Sequence, residues 1–502
     1  MAINPGDSLN SVPAQRQQAL QSNYIDFTST TTSGWAQQYL PDLMEKEAEV
    51  FGQRTISGFL EKVGAEEAMT SDQVIWSEQG RLHLSYICKV ASGKIVIQGD
   101  IDKAKYNASG IHTGQTAGIH HHGIRVNDTI IIANATQVIR AMVTVVEASS
   151  VIQVVPYSGT LTDDATTQAN ESTTILVYGS EYGKATRYDD ADGTFSNNDS
   201  RGANEPDFKT FSNKPIIMKD YYEISGSDTG RIGWVEVTGE AGQNGYYWYL
   251  KAEADTRARF NDYLEMAMLE SEKTAYDGSG TTVDAQIGQE GGAVGTEGLF
   301  AAIEERGNVT TGVSGINAAT DLAEFDAILK EFDKQGAIEE YMMFVNRDVS
   351  LAMDDMLASM NSYGAGGTSY GVFDNDEDMA LNLGFSGFRR GSYDFYKSDF
   401  RYLNDKATRG GINTAAAAGA AIRGVMIPAG TSTVYDQSLG KNLKRPFLHV
   451  RYKASPTDNR KMKTWTTGSV GAATSALDAM QIHFLSERCL ITQGANNFML
   501  MK

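Results

Sequence analysis

The longest regular pattern of apolar and polar positions runs from Gly245 to Asp277 and predicts one long helix. Between its two ends the segment has neither Pro nor further Gly, and it is rich in residues of high helix propensity. Acid–base pairs four residues apart, Glu253 with Arg257 and Asp255 with Arg259, favour the same helix. We expect a spine of about 45 Å. Apolar residues recur along it at spacings of three and four: Phe260, Tyr263, Leu264, Ala267 and Met268.

Before this helix the pattern shortens to runs that are typical of antiparallel strands and hairpins. Gly, Asn and Asp separate the runs, which are 95–98, 129–133, 141–146, 151–155, 174–178, 215–218 and 234–237. Within them, residues 123–157 have the spacing of a compact small barrel. Flanking linkers at 107–118 and 161–172 indicate an inserted β subdomain at about 112–178. The polar, Gly-rich residues 183–209 predict a flexible loop.

After the long helix, helical and extended patterns alternate. A helix is predicted near 298–305, and Asp321 with Glu324 resembles a capping box that opens a helix over Leu322–Gln335. Residues 341–345 predict a buried strand, followed by Asn346 as the cap of a further helix. One face of that helix is apolar and carries Val349, Met353, Met356, Leu357 and Met360. The last residues predict two strands around Thr492–Asn497.

The N-terminal residues 1–35 are polar and predict a mobile arm, and 38–63 have a helical pattern. This terminus lacks the apolar core of a signal peptide, and no apolar run approaches the roughly 18 residues of a membrane span. Only Cys88 and Cys489 are cysteines, which fits a reducing compartment. We therefore expect synthesis in a cytoplasm and no membrane partner.

The net charge of the chain restricts the classes of function that we expect for it. The chain has 43 Lys and Arg against 63 Asp and Glu, a net charge of −20. Phosphate binding needs clustered cations, so a surface this acidic disfavours a protein that grips nucleic acid over its whole surface. A hydrophobic fraction of 41% indicates a folded chain, and 502 residues are enough for several cores.

Candidate chemistry is sparse. Consecutive residues on a strand point to opposite faces, so His120, His121 and His122 are expected at a turn or loop tip rather than in one metal site. The acidic run at 374–378 lacks the Gly and the final acid of a calcium loop and is expected to be a solvated turn. No nucleophile, phosphate-loop or dinucleotide motif occurs. We expect no enzyme, no cofactor and no metal.

One segment departs from the acidic average. Eight cations against Asp458 give residues 441–463 a local charge of 8 − 1 = +7. The segment is either a solvated basic face or a patch that meets an acidic neighbour, which would be another copy of the chain or enclosed nucleic acid. We name it the basic segment; its cations are Lys441, Lys444, Arg445, Arg451, Lys453, Arg460, Lys461 and Lys463.

Three stretches carry a resemblance to a known family: NKPIIMKDYYEISGS (213–227), EYMMFVNRDVSLAMDDML (340–357) and FLSERCLITQGANNFMLM (484–501). They resemble the returning strand of the extended loop, the strand–Asn–helix step of the axial domain and the closing strands of the peripheral domain in major capsid proteins of tailed bacteriophages. These proteins share the Hong Kong ninety-seven capsid fold. The details of the three stretches are similar to those of the major capsid proteins of crAss-like phages.

The resemblance implies an α+β fold with an N-terminal arm, an extended β-loop carrying the inserted barrel-like subdomain, a spine helix, and axial and peripheral α/β domains. The implied divisions are 1–73 for the arm and helix, 74–240 for the extended loop, 241–297 for the spine helix and peripheral domain, 298–475 for the axial domain and 476–502 for the return to the peripheral domain. The type member cross-links its subunits through Lys and Asn, a pair that we do not place here.

The implied function is a structural one: hexamers and pentamers of the chain form the icosahedral head shell around double-stranded DNA. Implied partners are further copies, the portal, auxiliary or decoration head proteins, a scaffold during assembly and DNA without sequence specificity. The location would be the virion capsid, after synthesis in the bacterial host. Another virion component, such as a decoration or baseplate protein, is the main alternative. A carbohydrate-active enzyme would need an aromatic-lined cleft with two carboxylates, and no such cluster is evident.

Overall fold

The computed structural model describes residues 65–78, 83–100, 122–134, 137–147, 151–163, 173–184, 209–229, 232–238, 244–274, 283, 295–335, 338–361, 387–415, 420–429, 431–436 and 441–502. The chain divides into two compact units. We call Met1–Val74 together with Asn213–Lys502 the body unit, and Ile75–Ser212 the barrel unit. The described residues form a mixed α+β, strand-rich protein, as the sequence predicts.

The strands are β1 (Ala65–Met69), β2 (Val74–Glu78), β3 (Ser85–Ala91), β4 (Lys94–Asp100), β5 (Asp128–Ala133), β6 (Val138–Val146), β7 (Val151–Pro156), β8 (Thr173–Ser180), β9 (Lys209–Asn213), β10 (Ile216–Ser225), β11 (Ile232–Thr238), β12 (Asn244–Tyr247), β13 (Asn308–Thr310), β14 (Glu340–Val345), β15 (Gly387–Arg390), β16 (Tyr393–Asp399), β17 (Gly424–Pro428), β18 (Thr431–Asp436), β19 (Lys441–Pro446), β20 (Leu448–Lys453), β21 (Lys463–Gly468), β22 (Ala479–Thr492) and β23 (Met499–Met501). The helices are α1 (Trp248–Glu270), α2 (Leu299–Arg306), α3 (Ala318–Gln335), α4 (Arg347–Asn361), α5 (Arg401–Asn404) and α6 (Arg409–Ala415), with a 3-10 turn at Ala495–Asn497. Each predicted strand run falls on one of these strands, although the run at 215–218 begins one residue before β10.

The first sheet of the body unit has the strand order β1-β20-β22-β10, and β21 also pairs with β22. The fourteen-residue β22 is its centre. Strand β10 runs antiparallel to β22 in continuous register from Ile216 opposite Arg488 to Ser225 opposite Ala479. Side chains of β10 alternate between exposed and half-buried, as expected for a sheet with one covered face.

Helix α1 packs its apolar stripe on this sheet. Phe260 and Leu264 are buried against Ile482 and Phe484 of β22, with the two phenylalanine rings 6.0 Å apart. Met268 is also fully buried, which confirms the stripe at three of its positions. Tyr263 was expected in the stripe, but it is 43% exposed because it lies at the edge of the face that meets the sheet.

Helix α1 is shorter than the sequence predicts. It covers 23 residues, about 35 Å, instead of the whole of Gly245–Asp277. Residues Asn244–Tyr247 pair with β11 as strand β12, which removes the expected first turn from the helix. At the other end the Ser271 carbonyl accepts a hydrogen bond of 2.7 Å from the N–H of Gly298, so its backbone bonds to the segment that leads into α2.

The second sheet of the body unit has the order β13-β23-β17-β14-β16-β15. Strand β14 lies inside it, parallel to β16 and antiparallel to β17, and its buried apolar residues confirm the predicted strand. Residues of α3 and α4 share a core with this sheet that includes Phe325, Phe332, Tyr341, Val349 and Met353. The two strands predicted at the C-terminus are β22 and β23, joined by the 3-10 turn.

Helix capping follows the sequence at one site and departs from it at another. Asn346 caps α4 as predicted, because its Oδ1 accepts from the Val349 N–H at 2.9 Å. Helix α3 begins before the predicted capping box, at Ala318, and the side chain of Asn317 accepts from the N–H of Thr320 at 2.9 Å. The capping-box prediction for Asp321 is therefore wrong. Its carboxylate accepts instead from the Gly315 N–H at 2.8 Å and fixes the preceding loop.

The barrel unit contains a closed barrel of order β3-β4-β7-β6-β5-β8. Its interior is filled by Ile and Val from alternate positions, including Val90, Ile95, Ile130, Ile152 and Ile175, all fully buried. The strands include β3 and β4, which precede the subdomain predicted at about 112–178. They belong to the barrel because β3 pairs with β8 and closes the ring. Strands β2 and β9 pair with each other.

Several predicted features fall outside the described residues. These are the N-terminal arm at 1–35, the helix at 38–63, the acidic run at 374–378, His120, His121 and most of the loop at 183–209. The domain divisions drawn from the resemblance stay a prediction.

Candidate assembly surfaces

The basic segment spans β19, β20, β21 and the turn between the last two. Strand β19 pairs with β18 as a two-stranded hairpin, while β20 and β21 both pair with β22. The backbone of Lys441, Lys444 and Arg445 therefore belongs to the hairpin, and their side chains lie outside the described residues. The other five cations lie on or next to the first sheet.

Each of these five cations has a carboxylate partner within the body unit. Strand β1 and the turn after it supply three of the partners because β1 runs parallel to β20 in register. The pairs are Arg451–Glu67 at 2.9 Å, Arg460–Glu487 at 2.7 Å, Lys463–Asp458 at 2.8 Å, Lys461–Glu66 and Lys453–Asp72. The positive charge of this part of the basic segment is thus largely balanced by the same chain.

Glu487 is the most buried of these carboxylates, at 5% exposure, and it lies between two cations. Arg460 approaches it at 2.7 Å and Lys453 at 3.5 Å. The hydrogen bond between Lys453 and Asp72 lowers the pKa of the aspartate and raises the pKa of the lysine. The arrangement holds paired charges in place on the first sheet.

A second surface lies on the same sheet and was not predicted. Tyr221, His483 and Trp465 stand directly opposite one another on β10, β22 and β21. The ring of His483 stacks 6.0 Å from Tyr221 and 5.1 Å from Trp465, and its Nε2 shares a hydrogen bond of 2.8 Å with the Thr467 hydroxyl. A cleft of about 420 Å³ opens over them, with Lys219 also in its lining.

The chemistry of this cleft suits contact rather than catalysis. Tyr221 is 58% exposed and Trp465 is 38% exposed, so the aromatic ladder is accessible. Two nearby carboxylates are engaged: Asp220 pairs with Arg259 at 3.2 Å, and Glu223 accepts from Gln481 at 2.5 Å. Each strand contributes a single ring, so the sequence signal is weak. Only the register of three strands brings the rings together.

A buried polar cluster fixes the start of β10. The side chain of Asn213, fully buried, donates to the carbonyl oxygens of Leu490 at 2.6 Å and of Glu297 at 3.1 Å. Its Oδ1 accepts from the Glu297 N–H at 2.9 Å. The Glu297 carboxylate pairs with Arg306 at 2.7 Å, and burial raises its pKa although Arg306 opposes this.

The histidine triplet contributes one described residue. The Nδ1 of His122 accepts from the N–H of Ile124 at 3.3 Å, and its ring meets Tyr86 edge-on at 6.2 Å. Across the described ranges, no group of three His, Cys, Asp or Glu is arranged to hold a metal ion. In that same part of the chain, none of the helices has the length and apolar character needed to cross a membrane.

Comparison with known proteins gives structural neighbours only. No family model and no curated protein matches the chain. It is similar to the capsid structure of the cyanophage P-SCSP1u, with 7% identity, 93% of each chain covered and a TM-score of 0.38. A structure from Microbacterium phage Oxtober96 has 8% identity, covers 93% of this chain and 97% of its own, and has a TM-score of 0.36. The capsid asymmetric unit of the cyanophage Pam1 has 13% identity, covers 64% and 82%, and has a TM-score of 0.32. Because these values are low, the function proposed below rests on features of the chain itself.

Proposed function

We propose that this chain is the major capsid protein of a tailed bacteriophage of the crAss-like kind. In this proposal it is a structural protein and not an enzyme, and it assembles as hexamers and pentamers into the icosahedral head shell that encloses double-stranded DNA. Its partners are its own copies, a scaffold, the portal and auxiliary or decoration proteins. Its place is the virion, after synthesis in the bacterial cytoplasm.

The observation that carries the proposal is the folding of the three stretches on which the resemblance rests. Residues 213–227 contain β10, which returns along β22 beside the spine helix α1. Residues 340–357 form the step from β14 through the Asn346 cap into α4. Residues 484–501 contain the end of β22, which lies inside the first sheet, and β23, which lies inside the second sheet. The first two stretches form the strand and the strand–cap–helix step that the resemblance implies, and the third forms two strands that lie in separate sheets. These elements support the proposal.

The charge distribution supports the same function. A shell protein gains affinity through many repeated contacts, and a chain with net charge −20 must overcome repulsion between its copies. The same charge limits adhesion to packaged DNA. Because five cations of the basic segment already have carboxylate partners, we place its intermolecular role at Lys441, Lys444 and Arg445 on β19.

Electron microscopy of the purified, overexpressed chain tests the function. Closed shells or tubes are expected. Discrete small oligomers over the whole accessible concentration range would contradict the proposal and favour a decoration or baseplate protein. A mass-spectrometric count of the chain in virions gives an independent test, since a shell protein is present in far more copies than a baseplate component.

A matched pair of variants tests the basic segment. Lys441→Glu with Lys444→Glu is expected to slow assembly at low salt, where screening lengths are about 10 Å or more. Lys461→Glu, which breaks the internal pair with Glu66, is expected to act mainly on the subunit. Light scattering follows assembly, and circular dichroism follows the fold. If the double variant assembled at the original rate at every salt concentration, β19 would be a solvated face with no role in assembly.

A further inference from the structure

The outside of the barrel unit has two different walls. The exterior positions of β3 and β4 include Lys89 and Lys94, and Lys94 pairs with Glu147 at 2.7 Å. The exterior of the four successive strands β7, β6, β5 and β8 is mostly apolar. We call these four strands' outer side the apolar wall. With Tyr157, which directly follows β7, its most exposed large residues are Val138 at 70%, Val155 at 55%, Tyr157 at 51%, Tyr178 at 50% and Leu176 at 39%.

These side chains form one surface because the strands place them side by side. Ile131 of β5 lies opposite Leu176 of β8 on one side and Arg140 of β6 on the other. Met142 of β6 lies opposite Val155 of β7. Contiguous exposed apolar surface of this kind marks a site of protein association, whereas single exposed residues do not. Tyrosine and arginine are also the residue types enriched in such interfaces.

The few charges of the wall lie together. The hydroxyl of Tyr157 donates to Glu181, and the backbone N–H of Tyr157 donates to the Arg140 carbonyl at 3.0 Å. Among the described residues, no carboxylate forms an ion pair with the exposed Arg140. A basic and an acidic side chain thus flank one tyrosine within an otherwise uncharged surface.

We propose that the apolar wall docks the same wall of a second copy of this chain around a two-fold axis. The inference rests on the proposed self-assembly and names a surface for it. Copies with net charge −20 repel one another, and the wall is a nearly neutral region where close approach costs little. An isologous contact near Tyr157 brings Arg140 of one copy toward Glu181 of the other, and the reverse pair follows by symmetry.

Cysteine cross-linking tests this contact in the full chain. Both native cysteines are free and buried at 0% exposure, so a cysteine introduced on the wall is the reactive one. Val138→Cys and Leu176→Cys, treated with a short bis-maleimide, are expected to give covalent dimers. Lys89→Cys, on the polar exterior of β3, is the matched control and is expected to stay monomeric under denaturing electrophoresis.

The outcomes separate this inference from the proposed function. If shells form but the wall cysteines do not cross-link, and these cysteines react with a bulky maleimide as fast in shells as in dissociated subunits, the wall contact alone is overturned. Cross-linked dimers without shells support the contact and contradict the capsid function. A chain that stays monomeric at all concentrations overturns both.

A charge exchange tests the two-fold geometry. In the Val138→Cys background, Arg140→Glu is expected to lower the cross-linking yield several-fold, because acidic groups then face each other. Adding Glu181→Arg is expected to restore the yield, since the exchanged pair again has opposite signs. Circular dichroism verifies the fold of each variant. If the cross-linking yield of the double variant is as low as that of Arg140→Glu alone, the two-fold arrangement is overturned.

Discussion

The second sheet of the body unit and the barrel unit build their cores from different side chains. Around β14 the core combines aromatic rings with Met and aliphatic side chains. Phe332 stacks on Tyr341 with ring centroids 4.3 Å apart, and Phe395 meets Phe325 edge-on at 5.1 Å. The barrel core is aliphatic, with Ile and Val filling it and Tyr86 at its margin. Both cores are hydrophobic, so they differ in the residue types that fill them and not in their apolar character.

The physical reason lies in the architecture. A small closed barrel has an interior just wide enough for one layer of side chains from each strand, and β-branched residues fill that layer in restricted rotamers. A sheet covered by α3 and α4 leaves a flat space between two layers, in which aromatic rings stack or meet edge to face. The two cores should therefore respond separately to substitution.

The largest effect is expected from Phe332→Ala. Loss of a fully buried ring that stacks on Tyr341 should cost about 4 kcal/mol of unfolding free energy. Hydrogen exchange measured by mass spectrometry should show the loss of protection in β14 and α4, with β5 and β6 unchanged. Leu351→Ala, at a position of α4 that is 53% exposed, is the control and should have little effect. Equal loss of protection in the barrel would contradict separate cores.

Ile130→Ala is the reciprocal test in the barrel. The side chain is fully buried, and its truncation should cost about 3 kcal/mol, less than the loss of an aromatic ring. Protection from hydrogen exchange should fall in β5 and in its neighbours β6 and β8, while the protection of β14 should not change. Lys89→Ala, on the polar exterior of β3 and away from the apolar wall, should leave exchange unchanged. If Ile130→Phe is as stable as the original protein, the width of the barrel interior does not restrict its core to aliphatic side chains.

A smaller effect distinguishes the two candidate caps of α3. Asn317→Ala should destabilise the helix by about 1 kcal/mol because the Thr320 N–H loses its side-chain acceptor. Exchange should then quicken in the first turn of α3. Asp321→Ala should instead quicken exchange at Gly315, whose N–H is bonded to that carboxylate. The reverse pattern would restore the capping box that the sequence predicted.

The smallest effect is a pH dependence confined to the body unit. Burial raises the folded-state pKa of Glu297 above its ordinary 4.5, so its contribution to stability is full below that value and is lost as pH rises through the raised pKa. Glu297→Gln should flatten the part of the stability profile that lies above about pH 4.5. Glu331→Gln, on the exposed side of α3, should retain the slope. If the slope of stability against pH is unchanged in Glu297→Gln, another titratable group causes it.

Local patterns carried much of the fold. Alternation along short runs was enough to place strands such as β5 and β14, and the spacing of Phe260, Leu264 and Met268 was enough to find the buried face of α1. The Asn346 cap was also predictable, because the side chain of a cap bonds to an N–H three residues away. The ends of α1 were not, since they depend on the pairing of β12 with β11.

The candidate surfaces were harder to predict, for a physical reason. The sequence by itself determined that residues 441–463 are basic, that the chain as a whole is acidic and that Cys88 and Cys489 stand alone. Only the tertiary structure decided that Arg451 and Lys461 meet Glu67 and Glu66, nearly four hundred residues away, because β1 pairs with β20. The aromatic ladder, the closure of the barrel through β3 and the apolar wall likewise arise from strand register. Propensity and periodicity are set by near neighbours along the chain, whereas register between distant strands is set by the packing of the whole unit.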